Sequence, residues 1–273
     1  MAGGTHLETQ ESRLTSHAAD GALIQSAAAD AGRYADERRK KTPERRLMMP
    51  TVQRSIALLL VCGLVLCRSA AAQQGAVHDG LPSNLDSKVP YVIYLHGRII
   101  EDQGRRPTHP TWGVYEYQQV LEALATDGVL VISEQRQPMT DMDRFAGHVV
   151  DQVRELLRAG VPPERVSVVG FSKGGGIAMR ASALLQNARI NFVFLAACGD
   201  GDFSGSDLRV WGRILSVYEA SDEDGRSCAS LFAKSGATGE RSEVQINTGE
   251  QHGAFFRPRG EWLGPVRRWI RLS

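Results

Sequence analysis

The chain has 273 residues, with 32 Lys or Arg against 31 Asp or Glu, 42% hydrophobic residues, 28 Gly, 11 Pro and 4 Cys. So even a composition excludes collagenous, disulfide-dense, coiled-coil and wholly disordered chains, each of which needs a strong skew. A net charge of +1 also excludes nucleic acid or an anionic membrane as the main partner, because both demand an excess of basic residues.

Residues 1–47 are rich in Ala, Ser, Gln and charge and close on the run Asp36 to Arg46, which is almost free of apolar residues. Such a segment buries too little apolar surface to offset its ordering entropy, and disorder is expected. Met48, Met49 and Arg54 then lead into the apolar run Ile56 to Cys67, followed by Arg68-Ser-Ala-Ala-Ala72. Twelve residues rise only about 18 Å as a helix, short of a bilayer's hydrocarbon thickness. A basic start, a short apolar stretch and an Ala70-x-Ala72 end identify residues 48–72 as a secretory signal peptide cleaved after Ala72, with an uncleaved anchor as the alternative. Signal peptides begin at the initiator, so residues 1–47 read as the product of a start codon assigned too far upstream. A twin-arginine signal at Arg45-Arg46 fits less well beside Glu44 and Met48, as does lipoprotein cleavage after Leu66. Cleavage leaves 201 residues with 22 Lys or Arg against 24 Asp or Glu, and two cysteines, Cys198 and Cys228. The expected location is secreted or periplasmic, with no stable membrane anchor after cleavage.

Beyond a leader at 73–89, short apolar runs alternate with longer amphipathic stretches over 90–273. Strands are predicted at Tyr91 to Leu95, Val129 to Ser133, Val166 to Gly170, Asn191 to Ala196, Ile214 to Tyr218 and Glu243 to Asn247. Most read as apolar runs rather than alternating ones, as buried parallel strands do. Helices are predicted at Tyr115 to Thr126, Asp141 to Ala159, Ser172 to Asn187 and Gly264 to Leu272. This alternation means βαβ units and a right-handed, mostly parallel α/β sheet with helices on both faces.

Gly170-Phe171-Ser172-Lys173-Gly174 matches G-x-S-x-G at the point where a predicted strand runs into a predicted helix, the context the motif requires. Glycines two before and two after let strand and helix approach, and the helix N-terminus offers N–H groups to an oxyanion. Taken alone, the segment also reads as a glycine-rich turn with a capping serine. A serine nucleophile needs a base. His6 and His17 fall in residues 1–47, which are discarded, His78 lies in the leader to the fold, and His148 lies on a mixed helix face, whereas His252 follows the last predicted strand in Gly249-Glu-Gln-His-Gly253. The acid that orients its ring is read as Asp222, past the strand ending at Tyr218, with Asp224 and then Glu219 as alternatives and Asp202 behind them.

With these residues the chain resembles the α/β-hydrolase family over 90–272. The resemblance rests on the serine turn, the order Ser172, Asp222, His252, and Leu95-His96-Gly97 after the first strand. It implies an oxyanion hole made by the main-chain N–H of Lys173 with that of Arg98 or Gly97, and a structural part for His96. Too few residues precede Tyr91 for the family's first two strands, so about six strands are expected. The Lys173 side chain is read as contacting an acidic substrate or facing solvent.

The connection from Ala197 to Arg213 is too short for a cap domain, so an open site is expected. The stretch Arg98 to Trp112, with Arg105, Arg106 and His109, reads as a rim loop, either solvated or binding an acidic acyl portion. Cys198 and Cys228 follow two neighbouring predicted strands and are expected to form a disulfide contributing ~3 kcal/mol. Asp200-Gly-Asp202-Phe-Ser204-Gly205 resembles half a calcium loop, but Trp211 stands where a bidentate Glu is needed, and a polar turn is the better reading. The glycines lack the Gly-Lys-Ser/Thr ending of a nucleotide loop. No cofactor or metal is expected. The residues point to a serine hydrolase acting on a small-molecule or accessible acyl ester; a peptidase, a thioesterase or a non-catalytic binder on the same fold remain alternatives.

Overall fold

A computed structural model describes residues 75–199, 207–236 and 238–271. The expected disordered segment, the signal peptide with its Ala72 cleavage site, and the Asp200 to Gly205 turn with Asp202 lie outside the described residues. Each predicted strand is present: β1 at Ala76–His78 is additional, β2 spans Tyr91–Leu95, and two short strands, β3 at Thr108–His109 and β4 at Gly113–Val114, form a separate hairpin. Then follow β5 at Leu130–Ile132, β6 at Val166–Phe171, β7 at Asn191–Leu195, β8 at Arg213–Glu219 and β9 at Arg241–Ile246. The helices are α1 at Arg98–Gln103, α2 at Tyr117–Leu124, α3 at Met142–Arg158, α4 at Lys173–Leu185, α5 at Ala229–Ser235 and α6 at Gly260–Arg271.

Seven strands form one sheet in the order β1-β5-β2-β6-β7-β8-β9, every pair parallel. The seventh strand comes from the expected leader: Ala76, Val77 and His78 pair with Leu130, Val131 and Ile132, so part of residues 73–89 belongs to the sheet. Three residues with one apolar centre were too short a run to read as a strand.

Period-two alternation divides the strand side chains between two cores. Val92, Tyr94, Val169, Phe171, Val193, Leu195 and Val217 pack with Val120 and Leu121 of α2 and with Trp262, Val266 and Trp269 of α6. Tyr91, Ile93, Val168, Phe192 and Ile214 face the other way, onto Val149, Val153 and Leu156 of α3 and onto Ile177 and Met179 of α4. The spacing of three and four residues in α3 is what turns one stripe inward. Its start is set by Asp141, whose carboxylate accepts from the Arg144 N–H at 2.8 Å. Helix α6 begins four residues before the predicted Gly264, running through Pro265, because Trp262 and Leu263 are buried and extend the apolar stripe.

Chain order reverses between β2 and β6. From β2 the chain runs outward to β5, then returns across β2 to β6 and continues to β9. The carboxyl ends of these two neighbours bound the crevice in which open α/β sheets place their sites. Among the described residues, the connection between β7 and β8 holds no helix or strand and no cap domain. The disulfide Cys198–Cys228 is present, with Cα atoms 5.3 Å apart. It ties the end of β7 to the start of α5, and Asp222 lies in the segment it closes.

Candidate active site

Ser172 stands between β6 and α4 with φ 54° and ψ −121°, a conformation that costs a non-glycine residue about 1–3 kcal/mol. Neighbouring contacts hold it: its N–H donates to the Leu195 carbonyl at 2.9 Å and its own carbonyl accepts from the Gly176 N–H at 3.1 Å. The glycines on either side are required by close approach. A Cβ at Gly170 would lie 2.3 Å from the Gly174 carbonyl oxygen, and one at Gly174 would lie 2.0 Å from that of Leu95. The side chain of Ser172 opens into a cleft of about 280 Å³ lined also by Met142, Lys173, Arg180, Asp224 and His252.

Asp222 and His252 meet. Nδ1 of His252 lies 2.7 Å from Oδ2 of Asp222, whose other oxygen accepts from the Asp224 N–H at 2.9 Å. Asp222 is 4% exposed and His252 8%. Of the alternatives, Asp224 lies exposed on the cleft wall without that contact. Glu219 is buried and takes a different part: its carboxylate accepts from the Ser221 hydroxyl and from the N–H groups of Thr248 and Gly249 at 2.8, 3.0 and 3.0 Å. Burial works to raise its pKa, but these donors outweigh it and leave it below the usual value. Glu219 thereby fastens the segment carrying Asp222 to the one carrying His252. The His252 ring is packed at 4.8 Å from Phe171 and 5.5 Å from Trp112, on which His109 in turn stacks at 3.9 Å. Ser172 Oγ and His252 line the same cleft without a hydrogen bond between them; such contacts are often long until substrate is bound.

The residues expected to supply oxyanion donors stand at the ends of β2 and β6. Gly97 lies beside the serine, since a Cβ there would come 3.7 Å from Cβ of Ser172. Arg98 and Lys173 are the first residues of α1 and α4, positions whose N–H groups have no partner within their own helix. The Lys173 side chain does not stand free in solvent: its Nζ donates to Oε2 of Glu101 at 2.6 Å, at the wall of the cleft. Arg98 points its guanidinium outward to Asp102 at 3.6 Å. The expected Arg98 to Trp112 loop is in fact α1 followed by the β3–β4 hairpin, because Ile100 and Glu101 are buried and give α1 an inner face. Arg105 pairs with Asp79, and Arg106 is exposed.

His96 has the structural part expected of it. Its Nε2 accepts from the Arg136 N–H at 2.9 Å, so Nδ1 carries the proton and donates to the Gly97 carbonyl at 2.8 Å. Burial and the nearby Arg136 guanidinium push its pKa down to about 3, leaving the ring neutral. Sequence reasoning missed Glu101 and Arg136, which share a buried ion pair at 2.7 Å. Neither belongs to a motif; only the fold brings the residue after β5 against the helix after β2. His148 contacts Glu134 at 3.0 Å, away from the serine. Asp222, Asp224 and His252 present ligand atoms within 4.8 Å of one another, but the His252 nitrogen facing Asp222 is already engaged with it.

No family model and no curated protein matches this chain. Among solved structures, it is similar to SOBER1 of Arabidopsis thaliana at 12% identity, over 67% of this chain and 98% of that one, with a TM-score of 0.45. EstE5 is similar at 12% identity over 71% of this chain and 79% of the other, TM-score 0.49. An esterase/lipase from an uncultured bacterium is similar at 14% identity over 67% and 78%, TM-score 0.44. The seven-stranded parallel sheet with helices on both faces, and the strained Ser172 where a central strand turns into a helix, make this an α/β-hydrolase-like fold.

Proposed function

We propose that this chain is a serine hydrolase that cleaves small or accessible carboxylic esters through an acyl-enzyme. The observation that carries the reading is the buried His252–Asp222 pair at 2.7 Å, opening on the same cleft as the strained Ser172. With Nδ1 held by Asp222, Nε2 is left as the base. Ser172 Oγ adds to the ester carbonyl carbon while its proton passes to Nε2, and Asp222 stabilises the imidazolium. The oxyanion is received by the N–H of Lys173 and that of Arg98 or Gly97. As the tetrahedral adduct collapses, the alcohol leaves with the proton held by His252. Water then repeats the sequence on the acyl-enzyme, releasing the acid and restoring Ser172.

A connection between β7 and β8 without a cap suits accessible substrates, and the Cys198–Cys228 bond suits a secreted or periplasmic location. Among the described residues no helix is long and apolar enough to cross a membrane. The test is a panel of p-nitrophenyl esters of increasing acyl length beside peptide and thioester substrates. Short-chain esters are expected to turn over fastest, with turnover lost in Ser172→Ala; preference for peptides or thioesters would redirect the reading, and a folded protein inert to all three is a binder.

A further inference from the structure

We infer that Glu101 is a positioning residue for the proposed hydrolysis: its buried carboxylate clasps Lys173 beside the nucleophile and Arg136 behind the oxyanion loop, fixing both sets of main-chain donors. This inference rests on the serine hydrolase reading above.

Glu101 lies one turn into α1, directly after His96-Gly97, and its side chain is fully buried. Oε1 accepts from Nε of Arg136 at 2.7 Å and Oε2 from Nζ of Lys173 at 2.6 Å. One carboxylate thus joins the segments that follow β2, β5 and β6. Removing it would leave two cations without their shared anion in a site from which water is largely excluded. Such groups add little to stability compared with apolar packing of the same volume, so their presence points to what they hold.

On one side the clasp reaches the first residue of α4, whose N–H is an expected oxyanion donor. On the other it acts through Arg136 and His96. The Arg136 guanidinium donates to the His96 carbonyl, its N–H donates to His96 Nε2, and His96 Nδ1 donates to the Gly97 carbonyl, which also accepts from the Ile100 N–H at 3.3 Å. In a trans peptide C=O and N–H point in opposite directions. With the Gly97 carbonyl held toward the His96 ring, the Arg98 N–H is fixed on the opposite side of that peptide. Two cations against one anion also leave a net positive charge behind Ser172, where charge develops as negative on the substrate oxygen.

The experiment compares wild type, Glu101→Gln, Lys173→Met and the double variant on p-nitrophenyl acetate and butyrate. It adds inhibition by phenylboronic acid, which forms a tetrahedral serine adduct, and amide hydrogen exchange over residues 96–104. Lys173→Met keeps its main-chain N–H and leaves the Glu101–Arg136 pair intact, so it remains informative if Glu101→Gln does not fold. Each single variant is expected to lose about 10- to 100-fold in kcat with KM changed by less than about twofold. Boronate affinity falls with kcat/KM, the double variant loses no more than the worse single one, and exchange over 96–104 quickens in Glu101→Gln. Folded variants with unchanged kcat, a loss confined to KM, or unchanged exchange overturn the clasp. A wild type that hydrolyses no ester and whose Ser172 takes no fluorophosphonate overturns the hydrolase reading instead, and hydrogen exchange then still decides whether Glu101 holds the loop.

Discussion

At the scale of single residues, Asp222 alone combines burial with contact to Nδ1 of His252: Asp224 is exposed, and Glu219, though buried, is engaged by Ser221, Thr248 and Gly249. Asp222→Asn keeps the shape but lets the imidazole take the wrong tautomer, and kcat is expected to fall by on the order of 10⁴-fold. Asp224→Asn, which leaves that hydrogen bond untouched, is expected to stay within about tenfold of wild type. Steady-state kinetics on one ester compares them directly; equal losses would move the acid's part away from Asp222. Sequence placed Ser172 and His252 by local pattern, because a serine turn and a histidine after the last strand are short-range features. The acid was left with alternatives, since Glu219, Asp222 and Asp224 stand within six residues and are told apart only by burial and hydrogen-bond partners, properties of the folded chain. Glu101 and Arg136 were invisible for the same reason: 35 residues apart, they meet only through the sheet.

At the scale of elements, the core strands were legible because runs such as Tyr91 to Leu95 and Val129 to Ile132 are short, rich in β-branched or aromatic residues and preceded by Pro90 or by Asp127-Gly128. The elements missed were short or atypical: β1 with three residues, α1 with six, α5 with seven, and the two-residue strands of the hairpin. The disulfide was legible from the ends of two adjacent strands, and it braces the segment that presents Asp222 to His252. Replacing Cys198 and Cys228 with serine is expected to destabilise the folded protein by about 2–4 kcal/mol, with kcat falling as well because Asp222 loses its support. Urea unfolding with parallel kinetics checks both; full stability in the variant would show that the bond contributes nothing to the fold.

At the scale of the whole molecule, the topology places the site. Reversal of chain order between β2 and β6 opens one crevice, and the serine turn, the His96-Gly97 segment and the loops after β8 and β9 all reach it. That arrangement holds a neutral, buried histidine, and stability records it. His96 has a folded pKa of about 3 against an ordinary 6.5, so below about pH 6.5 the unfolded chain binds a proton that the folded chain refuses. Folding stability therefore falls as pH drops from about 6.5 toward 3, by up to ~1.4 kcal/mol per pH unit from this group. Below about pH 3 the folded form is protonated too and this contribution levels off. Between about pH 6.5 and pH 5, above the carboxylate range, the urea midpoint is expected to decrease steadily; a flat midpoint there contradicts a buried neutral His96.

The proposed hydrolysis requires that Ser172 be an activated nucleophile served by His252 and Asp222. Labelling with a fluorophosphonate, followed by mass spectrometry of the modified peptide, tests it most directly. One adduct is expected, on Ser172, formed with loss of ester hydrolysis, absent in Ser172→Ala and slowed severely in His252→Ala. A folded wild-type protein that takes no label, or takes it on another residue, would show that Ser172 is not the nucleophile.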